Sequence, residues 1–115
     1  MNYIGPLVQG MKHPALRNYD LSRFAPTCYL VEVSEEAGVD GPLIEGDLLV
    51  VDESMAAQHG DMVILERCGG HVLYNTHRIG GRLRLIPPFG PERSFFGKPD
   101  DICGVVVSQA RRYAL

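Results

Sequence analysis

The chain has 115 residues, a formal net charge of −3, and 45% hydrophobic against 22% charged residues. That is enough for one core but not two, ordinary for a globular domain in water, and too acidic, with its arginines scattered, for broad nucleic-acid binding through the surface. No apolar run reaches the length of a membrane span, the N-terminus lacks the basic start and apolar core of a signal peptide, and three cysteines (Cys28, Cys68, Cys103) without a CxxC pair suit a reducing cytoplasm better than a disulfide framework.

Residues 1–26 read as an irregular arm, because Gly5, Pro6, Gly10, Pro14 and Pro26 interrupt any long regular element. Ala15 to Phe24 could form a helical turn or two with Pro14 at its first position. Leu7, Val8, Leu16, Leu21 and Phe24 favour docking of this arm over a domain spanning 27–115, rather than a loose tail. From Cys28 onward the pattern is all strand. Cys28 to Val33 and Leu48 to Val51 are β-rich runs around a Gly, Pro and acid-rich turn at Ser34 to Gly46. Met55 to Gln58 could make one helical turn. Asp61 to Arg67 is the next strand, Cys68-Gly69-Gly70 a hairpin connection into His71 to His77, and Gly80-Gly81 a turn into Leu83 to Ile86. Phe89 to Asp101 reads as a long loop with Phe89, Phe95 and Phe96 tucked inward. Ile102 to Ser108 closes the domain as an apolar strand, buried on both faces or paired at an interface.

Several short motifs occur in a fixed order. Ser34 precedes Gly46-Asp47-Leu48-Leu49, then come Val51-Asp52, His59-Gly60-Asp61 before an apolar strand, Leu85-Ile86-Pro87, and Gly104-Val105-Val106. In this order they resemble the self-cleaving domain of the LexA/UmuD family, most closely over residues 28–63. The resemblance implies a mostly-β domain of twisted, partly barrel-like sheets with an N-terminal arm. It aligns Ser34 with the first serine of that family's Ser-Gly-Asp-Ser-Met box, and it places Ala37 where the nucleophilic serine stands and Gly38 where the methionine follows. Leu7-Val8-Gln9-Gly10 is similar to the segment around the family's self-cleavage bond, with Gln9 in place of a small residue before Gly10.

The family's reaction uses a serine activated by a lysine kept neutral by burial. Counting forward from His59-Gly60-Asp61 puts the lysine position at Tyr74, and counting back from Leu85-Ile86-Pro87 puts it at Asn75. An extra residue in the Cys68–Gly70 hairpin accounts for the difference and favours Asn75. The chain has only Lys12 and Lys98, on no strand expected to face the box. Ala37 cannot attack a carbonyl and Asn75 cannot accept a proton at neutral pH, so Ala37 and Asn75 read as vestigial positions and Gln9-Gly10 as a vestigial cleavage segment.

Other groups are candidate replacements. Ser34 is a displaced nucleophile or, more simply, a turn hydroxyl bonding backbone, and His59, His71 and His77 are possible bases. Cys68, His71 and His77 have ligand types for a metal, but strand geometry spreads them apart. Glu35, Glu36, Asp40 and Glu45 read as a solvated acidic cluster, and Asp47, Asp52 and Asp61 as carboxylates bonding turn amides. No cofactor and no metal are expected. The resulting expectation is a catalytically inactive, cytoplasmic binding protein, an accessory or regulatory factor in the bacterial SOS response and translesion synthesis. The resemblance further implies a homodimer, with Ile102, Val105, Val106 and Val107 as the interface on a strand otherwise left as an open edge. Implied partners are an error-prone DNA polymerase, the RecA filament, or a host UmuD or LexA in mixed dimers as a decoy. No membrane and no sequence-specific nucleic acid enter this reading. The alternative is a serine hydrolase acting through Ser34.

Overall fold

Glycine and proline turns divide the chain into eight strands: β1 (Asn2–Pro6), β2 (Cys28–Glu32), β3 (Leu48–Asp52), β4 (Met62–Arg67), β5 (Gly70–Ile79), β6 (Arg82–Ile86), β7 (Phe95–Gly97) and β8 (Gly104–Ala110). The computed structural model describes residues 1–10, 13–16, 20–34, 43–67, 69–88 and 90–111. The eight strands form one sheet, ordered β1-β2-β3-β8-β4-β5-β6-β7, with every pairing antiparallel. Four strands separate β1 from β5 in that order, yet the Tyr3 ring of β1 stacks on the His71 ring of β5 at 5.3 Å. The sheet therefore curls into a half-barrel, as right-handed strand twist favours. This is the mostly-β, LexA/UmuD-like architecture expected from the sequence.

The curl explains why β3 reads LLVVD without alternation: both of its faces are covered. Leu49 and Val51 face inward with Val31, Val33, Leu43, Ile64 and Leu73. Leu48 and Val50 face outward, where Ala15, Leu16, Leu30, Cys28 and Ala110 enclose them. A third cluster of Val63, Leu65, Tyr74, Leu83, Leu85 and Val105 lies under β6 and β7. The hairpins are set by glycine. Gly80 and Gly81 both have positive φ, 57° and 80°, the backbone that a two-residue turn between paired Ile79 and Arg82 demands.

Four details differ from the sequence expectation. The arm is not irregular from its start, since residues 2–6 pair with β2 as an edge strand, where Pro6 is tolerated. Farther on, a 3-10 turn at Pro14–Leu16 buries Ala15 and Leu16, and Ile4, Leu7, Leu21 and Phe24 pack on the same cluster, whereas Val8 is exposed. Residues 55–58 contain no helical turn. The region read as a loop contains β7, paired with β6, and only Phe95 packs on the core. Phe96 points out, its ring covered by the Arg82 guanidinium at 4.0 Å. Phe89 lies outside the described residues.

The fourth correction concerns the last strand. Ile102 to Val107 does not form an open edge, because β8 lies between β3 and β4. The apolar run reads the same for a strand at the edge or in the middle, and only sheet order distinguishes them. Val105 belongs to the cluster under β6 and β7, which Ile102 also touches, while Val106 packs on the inner cluster. Val107 is the extra residue of a bulge, since Val50 pairs with Ser108 and Val51 with Val106. It is the exposed member of the set. Among the described residues no helix is long and apolar enough to cross a membrane.

Candidate functional site

The Gly46-Asp47 corner is built by backbone. The Gly46 amide donates to the Val33 carbonyl, and the Val33 amide to the Asp47 carbonyl, each at 2.8 Å. Gly46 has a φ of 90°, which a side chain would strain. Asp47 is buried, and its carboxylate accepts the Ile44 amide at 2.9 Å, Gln109 Nε2 at 3.0 Å, and Arg111 Nε and Nη2 each at 2.8 Å. Burial alone would raise its pKa, but the Arg111, Ile44 and Gln109 bonds outweigh that and hold the carboxyl below its ordinary value. Asp47 is thus a fixed anion that ties the β2–β3 corner to the end of β8. The turn amide was anticipated from sequence; Gln109 and Arg111, 62 and 64 residues away, were not.

At the other end of β3, Asp52 Oδ1 accepts from Thr27 Oγ1, the Ser54 amide and Ser54 Oγ at 2.7–2.9 Å. These bonds, Ser54 first, lower its pKa. Asp61 Oδ2 accepts the Gln58 amide at 2.7 Å, and buried Thr76 reaches the Gln58 and Asp61 carbonyls with its hydroxyl. Asp52 and Asp61 therefore serve local turns, whereas Asp47 is a long-range tie. Glu45 is exposed, and Glu35, Glu36 and Asp40 lie outside the described residues.

Ser34 Oγ accepts a hydrogen bond from the Met1 amine at 3.1 Å. It lines a hollow of about 670 Å³ together with Glu32, Glu45 and His71. His71 stacks on Tyr3, with its Nε2 3.8 Å from Glu66 Oε1. Of the other histidines, His59 and His77 have rings 5.1 Å apart, and His59 Nδ1 accepts the Arg78 amide at 2.9 Å.

On β5, Leu73 faces the inner cluster, so His71, Asn75 and His77 share its side of the pleat. Burial ends at Leu73: Asn75, paired with Met62 and Ile86, is exposed, as is His77. The burial that keeps the family's lysine neutral is therefore absent at Asn75, because the strand runs past the inner cluster at that point. Ala37, Gly38 and Cys68 lie outside the described residues. The Gln9-Gly10 pair ends a 3-10 turn at Leu7–Gly10. His71 and His77 are six positions apart on one strand, roughly 20 Å, and no group of three or more His, Cys, Asp or Glu among the described residues could hold a metal.

Two features were not read from the sequence. The Tyr29 hydroxyl is buried without a hydrogen-bond partner, and burial raises its pKa. A groove of about 600 Å³ also opens between the turn after β3 and the β6–β7 end of the sheet, lined by Met55, Arg78, Arg82, Phe96, Lys98 and Ile102 among others. Arg78 and Arg82 both flank the Gly80-Gly81 hairpin, where Arg78 pairs with Leu83 and Ile79 with Arg82, and two arginines this close to a tight turn were the available signal.

Antiparallel half-barrel, apolar β3 and the backbone-built Gly46-Asp47 corner define a LexA/UmuD-type β domain. Sequence comparison agrees: 91 residues are 33% identical to the LexA repressor of Bordetella avium, covering 76% of this chain and 42% of that protein. A further 33% identity over 88 residues links it to the LexA repressor of Methylococcus capsulatus, covering 72% and 43%. The chain is related to the LexA/UmuD family, and it spans less than half the length of these relatives. No family model matches it.

Proposed function

We propose that this chain is a catalytically inactive, cytoplasmic relative of the LexA/UmuD family that works by binding, as an accessory or regulatory factor in the bacterial DNA-damage response. The observation that carries this reading is the state of the dyad positions. Ala37 and Asn75 stand where the resemblance puts serine and lysine, and Asn75 is an exposed amide. Lys98, one of the chain's two lysines, lines the groove beside Phe96 and not the hollow lined by Ser34; Lys12 is outside the described residues. Among the described residues, activity through a Ser-Lys pair then has no supporting geometry.

Binding in this reading begins with a second copy or a family member. The homodimer in this reading forms across the exposed Val107 of β8, since Val105 is buried and Val106 and Ile102 pack on core clusters. An error-prone polymerase, the RecA filament, or a host UmuD or LexA would be further partners by fold analogy alone. Light scattering on the purified chain should give a dimer at micromolar concentration, with Val107→Asp shifting it toward monomer. A wild-type monomer would remove the homodimer.

One observation favours a second reading, hydrolysis through Ser34: Ser34 and His71 line the same hollow, and Glu66 approaches His71. Loss of any esterase activity in Ser34→Ala and in His71→Gln would support it.

A further inference from the structure

The groove between the turn after β3 and the β6–β7 end has an uneven composition. Its floor is apolar: Leu83 is buried, Ile102 half-buried, and Met55 and Phe96 are large side chains left exposed. Its rim carries three cations, Arg78, Arg82 and Lys98, against one carboxylate, Glu53. None of the ion pairs among the described residues involves those cations. Arg78 is held by the Gly81 and Ala57 carbonyls at 3.3 Å each, and the Arg82 guanidinium carbon sits over the Phe96 ring, 4.0 Å from its centroid. The two guanidiniums are thus held in place before any ligand arrives, which lowers the ordering cost of binding.

We infer that this groove docks an acidic peptide segment of a partner protein, an apolar side chain entering between Met55 and Phe96 while carboxylates meet Arg78, Arg82 and Lys98. Charge complementarity selects the occupant. Guanidinium forks match carboxylates two bonds at a time, and the apolar floor asks for an anchor residue of the kind peptides supply. A nucleic-acid strand fits less well. The cations number three, exposed Asp100 and Asp101 lie two and three residues after Lys98, and the chain as a whole is acidic at −3, so a continuous polyanion would meet repulsion beyond the groove. The groove shares no lining residue with the hollow of Ser34 and His71, so its use is independent of whether the chain cleaves anything.

The test is fluorescence anisotropy with a labelled synthetic peptide of alternating aspartate and leucine, beside two controls: the same peptide with serine for leucine, and an oligothymidylate strand. The aspartate–leucine peptide should bind and weaken as salt rises. The double variant Arg82→Glu, Lys98→Glu, at exposed positions, should weaken it roughly tenfold, since each exposed pair is worth up to about fivefold and reversal adds repulsion. Met55→Ser, which leaves every cation and the Arg82–Phe96 contact in place, should weaken it by a similar factor. A thermal melt of each variant confirms that the fold persists. Unchanged binding in the charge-reversed variant, equal binding of the serine peptide, or preferential binding of oligothymidylate would each overturn the assignment.

Discussion

The two halves of the sheet are held together by different means. In the half made of β1, β2, β3 and β8, contacts join residues far apart in sequence: Asn2 pairs with Glu32, Leu48 with Ala110, and Asp47 binds Arg111. In the half made of β4 to β7, each strand pairs with the next across a short connection. The join between them is narrow. Its ladder pairs Val63 with Val105 and Ile64 with Gly104, and the Cys103 amide adds a bond to the Ile64 carbonyl at 2.8 Å. The hairpin half can form from local contacts, whereas the other half must close long loops first. The motifs shared with the family concentrate in the half that needs long-range closure, where the corner at Gly46-Asp47 fixes the register.

The largest effect should come from the join. A Cβ at Gly104 would sit 2.5 Å from Val51 Cγ1, 3.2 Å from the Asp52 carbonyl oxygen and 3.2 Å from the Tyr29 hydroxyl. Backbone and a β-branched side chain cannot both give way, so Gly104→Ala should cost about 3 kcal/mol in urea unfolding. Next comes the long-range pin. Asp47→Ala removes the acceptor of the Ile44 amide and the carboxylate bonds of Arg111 and Gln109, and should cost about 2–3 kcal/mol, moderated because Arg111 is partly exposed. Gly97→Ala offers the matched test in the hairpin half. Its Cβ would meet Leu85 Cδ1 at 2.5 Å, but a leucine side chain can shift, so the loss should be about 1 kcal/mol.

The smallest effect is pH-dependent. Asp52 has a folded pKa below its ordinary value, so its bonds stabilise fully above the unfolded value of about 3.9 and are lost as pH falls through the folded one. Ser54→Ala removes one donor and should cost about 0.5–1 kcal/mol at neutral pH. The gap to wild type should close in acid, as chemical melts across pH would show. A gap that persists unchanged at low pH would mean Ser54 acts through something other than the Asp52 carboxylate.

The same division explains what could be read from the sequence. β2 and β3 are unmistakable as apolar runs around a glycine-rich turn, and Gly80-Gly81 announces its hairpin, because these signals are local. β8 was legible as a strand but not as an inner one, since Val105, Val106 and Val107 look alike in a list and only the ladders to β3 and β4 separate them. β7 was hidden by Pro91 and Pro99 on either side of a three-residue strand. The Asp47–Arg111 pin and the groove of Arg78, Arg82 and Lys98 depend on tertiary placement, which periodicity does not encode.

The proposed loss of catalysis means that this family relative should not cleave itself. Alkaline incubation of the purified chain, followed by intact-mass measurement, tests it most directly, because high pH drives the family's reaction by deprotonating its lysine. The account predicts a single species at full-length mass throughout. A specific cut between Gln9 and Gly10 that disappears in Ser34→Ala would contradict it and establish Ser34 as the nucleophile.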